Sequence, residues 1–185
     1  SFIMNTAELH LIIGCMYSGK STELLRVINH YRILDVPILA ISHILDDRYG
    51  YQQIISHDNK SHPCIQTEKL LDIISHSEYS RSVIIIEEAQ FFKDLIEFVK
   101  FALKDNKTIY VAGLDGDYKQ EPFGDILQLI PLCDTIKKQS ALCMICKNGT
   151  KANFTKRIID NNSQTLIGSI GTYIPTCRDH LTNPS

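Results

Sequence analysis

Residues 14–21 read Gly14-Cys15-Met16-Tyr17-Ser18-Gly19-Lys20-Ser21 and match the pattern G-x-x-x-x-G-K-[ST] at every fixed position. In this pattern the two glycines let the backbone turn, so that successive N–H groups converge on phosphate oxygens. The lysine supplies a positive charge for the β- and γ-phosphates, and the final hydroxyl is a ligand for Mg²⁺. The segment therefore predicts a phosphate-binding loop that extends from Gly14 to Thr22, with Ser21 as the Mg²⁺ ligand.

The residues on either side of this loop support the prediction. A short apolar run, Leu9–Ile13, precedes the loop and is typical of a buried strand. From Ser21 onward, apolar residues that include Leu24 and Ile28 recur at helical spacing. A strand before the loop and a helix after it are the context that this motif requires. Binding of a nucleoside triphosphate is therefore favoured over a glycine-rich turn that matches by chance.

The rest of the pattern predicts an α/β fold. Val83–Ile86 is β-branched throughout, as expected for a central strand that is buried on both faces. Residues 43–63 are polar and predict a long surface loop with one hairpin. Alternating strands and helices favour a mainly parallel sheet with helices on both faces. The predicted strands are Leu9–Ile13, Ile38–Ile41, Val83–Ile86 and Ile109–Ala112. One predicted helix begins at Ser21, and three further helices are predicted at Thr67–Ile74, Phe91–Leu103 and Phe123–Leu129. Pro131 is predicted to end the last of them.

The sequence pattern changes near residue 140, where short β-like segments and two cysteine-containing turns replace the longer strands and helices. We therefore expect a nucleotide-binding domain over residues 4–140 and a small metal-binding domain over residues 141–185. Cys143 and Cys146 form one C-x-x-C pair, and Cys177 with His180 forms a C-x-x-H pair. Such a Cys₃His set is suited to structural zinc. A redox dithiol at the first pair, or an ordinary surface histidine at 180, remains open at this stage.

Two adjacent acids follow the predicted central strand, in the run Glu87-Glu88-Ala89-Gln90. A carboxylate at the carboxyl end of such a strand lies beside the phosphate loop in this fold class, where it can hold Mg²⁺. The second carboxylate is then free for acid–base chemistry, and in a kinase it would accept the proton of the attacking hydroxyl. The alternative is a pair of solvated acids on a surface turn.

Composition limits the other possibilities. The chain has 185 residues, of which 44% are hydrophobic and 22% are charged, with a formal net charge of −2. These values are typical of a globular protein and do not favour a nucleic-acid binder. The sequence shows neither a membrane-spanning apolar run nor a signal peptide, and Met4 is typical of a native start. We therefore expect a cytoplasmic protein. Because the cytoplasm is reducing, its six cysteines are expected to bind metal or to stay free.

Taken together, the motifs resemble the thymidine kinases of the cellular and poxviral type, and viral members above all. The resemblance extends from about Leu9 to His180. It rests on segments that occur in the same order as in that family. These are GCMYSGKSTE (Gly14–Glu23), DDRYG (Asp46–Gly50), Ser56-His57-Asp58, EEAQFF (Glu87–Phe92), LDGDYKQEPF (Leu114–Phe123), Ile130-Pro131-Leu132, FTKR (Phe154–Arg157) and the two cysteine turns.

The resemblance implies a RecA-like core with a zinc-bearing lasso domain, assembled as a homotetramer that dTTP can inhibit. It implies transfer of the γ-phosphate of ATP to the 5′-hydroxyl of thymidine with Mg²⁺, and Glu88 as the catalytic base. Nucleic acid and membranes are not expected partners. The implied ATP and phosphate residues are Gly14, Cys15, Met16, Tyr17, Ser18, Gly19, Lys20, Ser21, Thr22, Asp46, Arg48, Glu87 and Gln90, and the implied thymidine residues are Met16, Phe91, Leu114, Tyr118, Phe123, Thr155, Leu166, Ile167 and Tyr173.

Several positions depart from the family pattern. Glu87 stands where the family usually has Asp, so its longer side chain is expected to hold Mg²⁺ differently. His180 replaces a cysteine, which zinc tolerates. Ser169 replaces a glycine, and Cys15 and Tyr17 replace Pro and Phe in the phosphate loop. Two other hypotheses are a RecA-like ATPase that acts on single-stranded nucleic acid and a catalytically inactive relative.

Overall fold

The computed structural model describes residues 7–45, 53–55, 61–160, 162–165 and 172–182. Its core is a six-stranded sheet of order β5-β2-β6-β7-β1-β8, in which every pairing is parallel. This confirms the predicted sheet type. The strands are β1 (Glu8–Gly14), β2 (Ile38–His43), β3 (Gln53–Ile55), β4 (Ser61–Pro63), β5 (Ile65–Thr67), β6 (Val83–Ile86), β7 (Thr108–Gly113), β8 (Thr135–Gln139), β9 (Ala141–Leu142), β10 (Lys151–Ala152), β11 (Phe154–Arg157) and β12 (Tyr173–Thr176).

Helices cover both faces of the sheet, as the burial of β6 requires. All four residues of β6 are buried, and successive side chains point to opposite faces. Val83 and Ile85 pack in the cluster that contains the buried side of the first helix, whereas Ile84 and Ile86 pack in the cluster of the second. The α-helices are α1 (Lys20–Ile33), α2 (Leu95–Lys104) and α3 (Arg178–Thr182), and the 3₁₀-helices are Leu70–Ser75, Ser77–Ser80, Ala89–Phe91 and Ile126–Leu132.

The strand order positions the site. The carboxyl ends of parallel strands meet at the same edge of a sheet. The phosphate loop follows β1 and the acidic pair follows β6, with β7 between these two strands. Side chains from the loop and from the acidic pair therefore converge across the end of β7.

Three predicted helices differ from the structure. The segment predicted as a helix over Thr67–Ile74 is instead the end of β5 followed by a 3₁₀-helix. The helix predicted to start at Phe91 begins only at Leu95. A 3₁₀-turn over Ala89–Phe91 precedes it, and the carboxylate of Asp94, the residue before the helix, accepts a hydrogen bond from the Leu71 N–H. The helix predicted to stop at Pro131 is a 3₁₀-helix that includes this proline. The hairpin expected within residues 43–63 is present as the antiparallel pair β3–β4.

The C-terminal part of the chain from Ala141 onward, called the tail below, consists of short strands and one short helix, as predicted. β9 pairs with β10 and β11 with β12, both antiparallel, and α3 packs against β11 and β12. Within the described ranges, none of the helices has the length and apolar character needed to cross a bilayer.

Candidate active site

The phosphate loop joins β1 to α1, and glycine is required at both of its ends. Gly14 has a φ of +151° and Gly19 a φ of +84°, in the region that favours glycine. A Cβ on Gly14 would lie 2.5 Å from the carbonyl oxygen of Gln139, so a larger residue would collide with β8. The Lys20 ammonium donates to the carbonyl oxygen of Cys15 at 2.7 Å, which holds its charge against the loop.

The loop contacts the first residue of the acidic pair. The Ser21 hydroxyl donates to Oε1 of Glu87 at 2.5 Å, and Glu87 is only 4% exposed. The backbone N–H of Glu87 donates to the carbonyl oxygen of Ile41, which fixes the end of β6 against β2. Hydroxyl and carboxylate oxygens are the ligands that Mg²⁺ prefers. Ser21 and Glu87 therefore offer oxygen atoms of the type that could hold this ion.

Glu88 takes an unusual backbone conformation that separates its side chain from that of Glu87. Its φ of 50° and ψ of 45° lie in the left-handed region, which non-glycine residues adopt at a cost and often at functional sites. Glu88 as a whole is 8% exposed, and its carboxylate accepts a hydrogen bond from Nε2 of Gln90 at 2.6 Å. The other end of the Gln90 amide, Oε1, accepts from the backbone N–H of Leu114 at 3.1 Å. Gln90 thus fixes the Glu88 carboxylate relative to the end of β7.

Two glycines leave the space that Gln90 occupies. A Cβ on Gly113 would lie 2.5 Å from Oε1 of Gln90, and one on Gly124 would lie 2.2 Å from its carbonyl oxygen. Gly124 also has a φ of +59°, which favours glycine. The sequence analysis did not identify either glycine as a site residue. The sequence signal for these two glycines is weak. Gly113 only marks the end of an apolar strand, and Gly124 only follows Phe123.

Aromatic and apolar side chains gather next to Gln90. The rings of Phe91 and Phe123 meet edge to face with centroids 5.9 Å apart, and His43 packs against Phe91. Burial lowers the pKa of His43, although nearby Glu68 and Asp94 oppose this effect. From the phosphate loop, the backbone N–H of Met16 donates to the Thr155 hydroxyl at 3.0 Å. The hydrogen bond between Met16 and Thr155 joins the phosphate loop to the tail.

The tail also contacts the segment that joins β7 to the Ile126–Leu132 helix. The Arg157 guanidinium stacks on the Tyr118 ring with 3.8 Å between Cζ and the centroid, and it donates to the Tyr173 hydroxyl at 2.7 Å. It also donates to the carbonyl oxygens of Ser163 and Gln164. The Gln164 amide in turn donates to Asp117 at 2.9 Å. Arg157, Asp117 and Gln164 were absent from the predicted site, although the FTKR and LDGDYKQEPF segments contain the first two.

Three thiols and one imidazole meet at the other end of the tail. Sγ of Cys146 lies 3.7 Å from Sγ of Cys177, and Nδ1 of His180 lies 3.3 Å from both sulfurs. With Cys143, these ligand atoms all lie within 4.8 Å of one another. Ligands of a tetrahedral zinc ion, at about 2.0–2.3 Å from the metal, are separated by about 3.5–3.8 Å. The set therefore fits zinc, and this favours a metal site over a redox dithiol.

The chemistry of the donors agrees with a metal site. Burial by itself raises the pKa of the Cys143 thiol, but backbone hydrogen bonds, led by that from Cys146, lower this pKa to about 6. Burial and the neighbouring Cys143 and Cys177 thiols raise the pKa of Cys146, so Cys143 is the first of the set to become a thiolate. A thiolate is the form that binds metal. Four protein ligands would fill a tetrahedral zinc ion and leave no position for substrate, so the site is structural in type.

The metal cluster and the phosphate loop share one small core. Cys15, from the loop, is 2% exposed and packs in the cluster that contains Ala141, Cys143 and Ala152. Its thiol donates to the carbonyl oxygen of Ala152 at 3.4 Å, and burial raises the pKa of this thiol. The order of the tail and the conformation of the loop are therefore coupled by direct packing.

Comparison with known proteins assigns the chain to a family. Residues 7–181 match the family model described as thymidine kinase. The chain is 40% identical over 170 residues to the thymidine kinase of Yaba monkey tumor virus, and the match covers 92% of each chain. It is 38% identical over 175 residues to the thymidine kinase of Variola virus, which covers 95% of this chain and 97% of the relative.

This chain belongs to the thymidine kinase family. It is a kinase, and the expected likeness to viral members is confirmed. A solved structure, the flagellar accessory protein FlaH from Methanocaldococcus jannaschii, aligns with a TM-score of 0.52 at 16% identity and covers 92% of this chain and 87% of that one. At this identity the likeness concerns the fold alone, and it agrees with the RecA-like core that was expected.

The structure brings most of the predicted site residues of this family member together at one edge of the sheet. The loop from Gly14 to Thr22 lies beside Glu87, and Gln90 contacts Glu88 and Leu114. The phosphate contact that was predicted for Gln90 stays a prediction. The described hydrogen bonds of its amide go to Glu88 and Leu114 instead. Four predicted site residues lie outside the described residues: Asp46, Arg48, Leu166 and Ile167.

Proposed function

We propose that this chain transfers the γ-phosphate of ATP to the 5′-hydroxyl of thymidine, with Glu88 as the general base. The observation that carries the proposal is the arrangement after β6. Glu87 contacts the Ser21 hydroxyl of the phosphate loop, and the next residue presents a second buried carboxylate, held by Gln90. The names of the viral relatives support thymidine as the acceptor.

The donor side of the reaction is assigned to the phosphate loop. Its backbone N–H groups and the amino end of α1 hold the phosphates, and Lys20 neutralises charge on the β- and γ-groups. Ser21 and Glu87 would hold Mg²⁺, and the ion when bound neutralises charge that develops on the transferring phosphoryl group. Glu87, which stands where the family usually has aspartate, accepts a hydrogen bond from the Ser21 hydroxyl, so the two residues would hold the ion together.

On the acceptor side, Glu88 takes the proton of the 5′-hydroxyl. As it does so, the bond between O5′ and the γ-phosphorus forms, and the bond from that phosphorus to the bridging oxygen of ADP breaks. The fixed position of the carboxylate supports this role, because a general base acts only within hydrogen-bond reach of the proton. The brace from Gln90 supplies that fixed position.

The region between the loop and the tail is assigned to the nucleoside. The proposal uses the rings of Phe91 and Phe123 as the surface for a pyrimidine. It is supported by the hydrogen bond that joins Thr155 of the tail to the loop and by the bond that Tyr173 accepts from Arg157. Closure of the tail would exclude water from the γ-phosphate and so suppress hydrolysis of ATP. The remaining assigned residues are Met16, Leu114, Tyr118, Leu166 and Ile167.

Four further properties are proposed. A homotetramer and feedback inhibition by dTTP come from the family resemblance. A cytoplasmic location and the division into domains 4–140 and 141–185 come from the sequence itself. The division is supported by the end of the parallel sheet at Gln139 and by the small antiparallel pairs that begin at Ala141.

The proposal is tested by incubating the zinc-loaded protein with ATP labelled at the γ-phosphate and with each natural deoxynucleoside in turn. We expect label in the 5′-monophosphate of thymidine above all others. Label in no nucleoside, together with phosphate release that single-stranded DNA stimulates, would favour the RecA-like ATPase instead.

A further inference from the structure

Gln139 is the last residue of β8 and lies beside the phosphate loop. In the pairing of β8 with β1 it stands opposite Gly14, the first glycine of the motif. Its carbonyl oxygen lies 2.5 Å from the position of a Cβ on Gly14, and its side-chain Oε1 lies 3.7 Å from that position on Gly19. One residue therefore borders both glycines of the loop.

The carboxamide of Gln139 has no structural task that the described contacts explain. Its oxygen is buried and lacks a hydrogen-bond partner in the part of the chain that the structure describes. Buried polar side-chain atoms nearly always have a partner, so an exception calls for an explanation. Capping of α1 is not that explanation, because this oxygen accepts no hydrogen bond from the N–H groups at the described start of the helix.

The direction of the side chain agrees with a role at the loop. Residues two apart on a strand share a face, and Lys137 reaches Glu23 of α1 at 3.4 Å. Lys138 points to the other face and pairs with Asp115 at 3.0 Å. Gln139 therefore faces the amino end of α1, where it presents a neutral amide. A half-turn of this amide exchanges its oxygen for Nε2, which is a donor.

We propose that Gln139 is a further nucleotide-binding residue, whose carboxamide donates Nε2–H to an oxygen of the donor's phosphate chain. The identity of the donor as ATP rests on the proposed function. The contact lies on the side of the loop opposite to β7, because β1 separates β8 from β7. Phosphate would thus be held from the loop, from Lys20 and from the edge strand of the sheet.

The test measures ATP binding by calorimetry, in the presence of Mg²⁺, for the zinc-loaded full chain. Gln139→Leu removes the donor, and Gln139→Glu replaces it with a negative charge. Gln128→Leu and Gln128→Glu are matched controls, because Gln128 is exposed on the Ile126–Leu132 helix and its side chain donates a hydrogen bond to Asp125, away from the phosphate loop. Thymidine KM is measured in parallel, and thermal melts establish that each variant is folded.

We expect the Kd for ATP to rise about ten- to a hundredfold in Gln139→Leu, because a hydrogen bond to a charged group contributes about 1.5–3 kcal/mol. In Gln139→Glu it should rise further, because a carboxylate would face the phosphates. The thymidine KM of the Gln139 variants, and the Kd for ATP of the two Gln128 variants, should stay within about twofold of the wild-type values.

ATP affinity within twofold of wild type in both Gln139 variants would overturn the inference. If Gln139→Glu does not fold, the Leu variant alone decides. The two proposals can fail separately. If the ATP affinities of the wild type and the Gln139 variants follow the expected order but the wild type does not phosphorylate thymidine, the proposed function is refuted and the Gln139 contact stands.

Discussion

The Gln90 carboxamide offers a quantitative test of how the site is held, because it joins the Glu88 carboxylate to the end of β7. Gln90→Leu removes the 2.6 Å bond to Glu88 and the 3.1 Å bond from the Leu114 N–H, and the side-chain volume changes little. A hydrogen bond to a charged group contributes about 1.5–3 kcal/mol. Because about 1.4 kcal/mol corresponds to a tenfold change in rate, we expect kcat to fall about ten- to a hundredfold.

Stability should fall as well. The Leu114 N–H loses its acceptor, and an unpaired buried N–H costs about 1–3 kcal/mol of unfolding free energy. For a chain of this length, each 1 kcal/mol lowers the melting temperature by about 2–4 °C. The KM for ATP should change less than about twofold, because the described contacts of the Gln90 side chain do not involve the phosphate loop.

The assay is steady-state kinetics on wild type, Gln90→Leu, Glu88→Gln and the double variant, with Gln128→Leu as the control for loss of an exposed carboxamide. If Gln90 acts by positioning Glu88, its replacement should have little further effect on kcat once Glu88 is already Gln. An equal fall in kcat in both backgrounds would refute this reasoning, because Gln90 would then act independently of the carboxylate.

Three further predictions concern the tail and the glycines. Elemental analysis should find about one zinc per chain, and Cys177→Ser should lower the melting temperature by about 5 °C or more; a stable, metal-free and active protein would contradict the structural-zinc assignment. Arg157→Met removes the stacking on Tyr118 and the bond to the Tyr173 hydroxyl, so the thymidine KM should rise about tenfold while the Kd for ATP, measured by calorimetry, stays unchanged; equal effects on both substrates would show that the tail does not act on the nucleoside alone. Gly124→Ala should lower the unfolding free energy in urea titrations by about 2 kcal/mol or more, because a Cβ there would meet the Gln90 carbonyl oxygen at 2.2 Å; Gly149→Ala, which also has a positive φ but has nothing within 4 Å, is the control and should lose only about 1 kcal/mol.

The parallel sheet was predictable from sequence because its inner strands are buried on both faces. Val83–Ile86 is apolar without interruption and Leu9–Ile13 is apolar except for His10, and such runs occur where helices cover both sides of a sheet. The edge strand β8 was not predicted. Its residues are Thr135-Ile136-Lys137-Lys138-Gln139, the first four of which are exposed, so it has no apolar pattern and is recognised only by its pairing with β1.

The candidate site was predictable where residue type alone determines the chemistry. The phosphate loop, the acidic pair and the Cys₃His set each have a fixed spacing that reflects a fixed task. What the sequence could not supply are contacts between segments that lie far apart along the chain. Gln90 with Leu114, Gln164 with Asp117 and Arg157 with Tyr118 are examples, since no local pattern requires either partner.

The helix boundaries near the site failed for a related reason. Phe91–Leu103 has helical periodicity, but Glu88 adopts a left-handed conformation and the following residues form a 3₁₀-turn. The helix therefore starts only at Leu95. A backbone conformation that serves a functional side chain overrides local propensity here, as it often does at active sites.

The central claim is that the carboxylate of Glu88 removes the proton from the nucleoside hydroxyl, and Glu88→Gln tests it most directly. This change keeps the shape and the capacity to hydrogen bond with Gln90 but abolishes the base. We predict ATP binding within about twofold of wild type by calorimetry and thymidine turnover that falls by about two to four powers of ten. Turnover near the wild-type rate, in a variant that binds both substrates normally, would contradict the account.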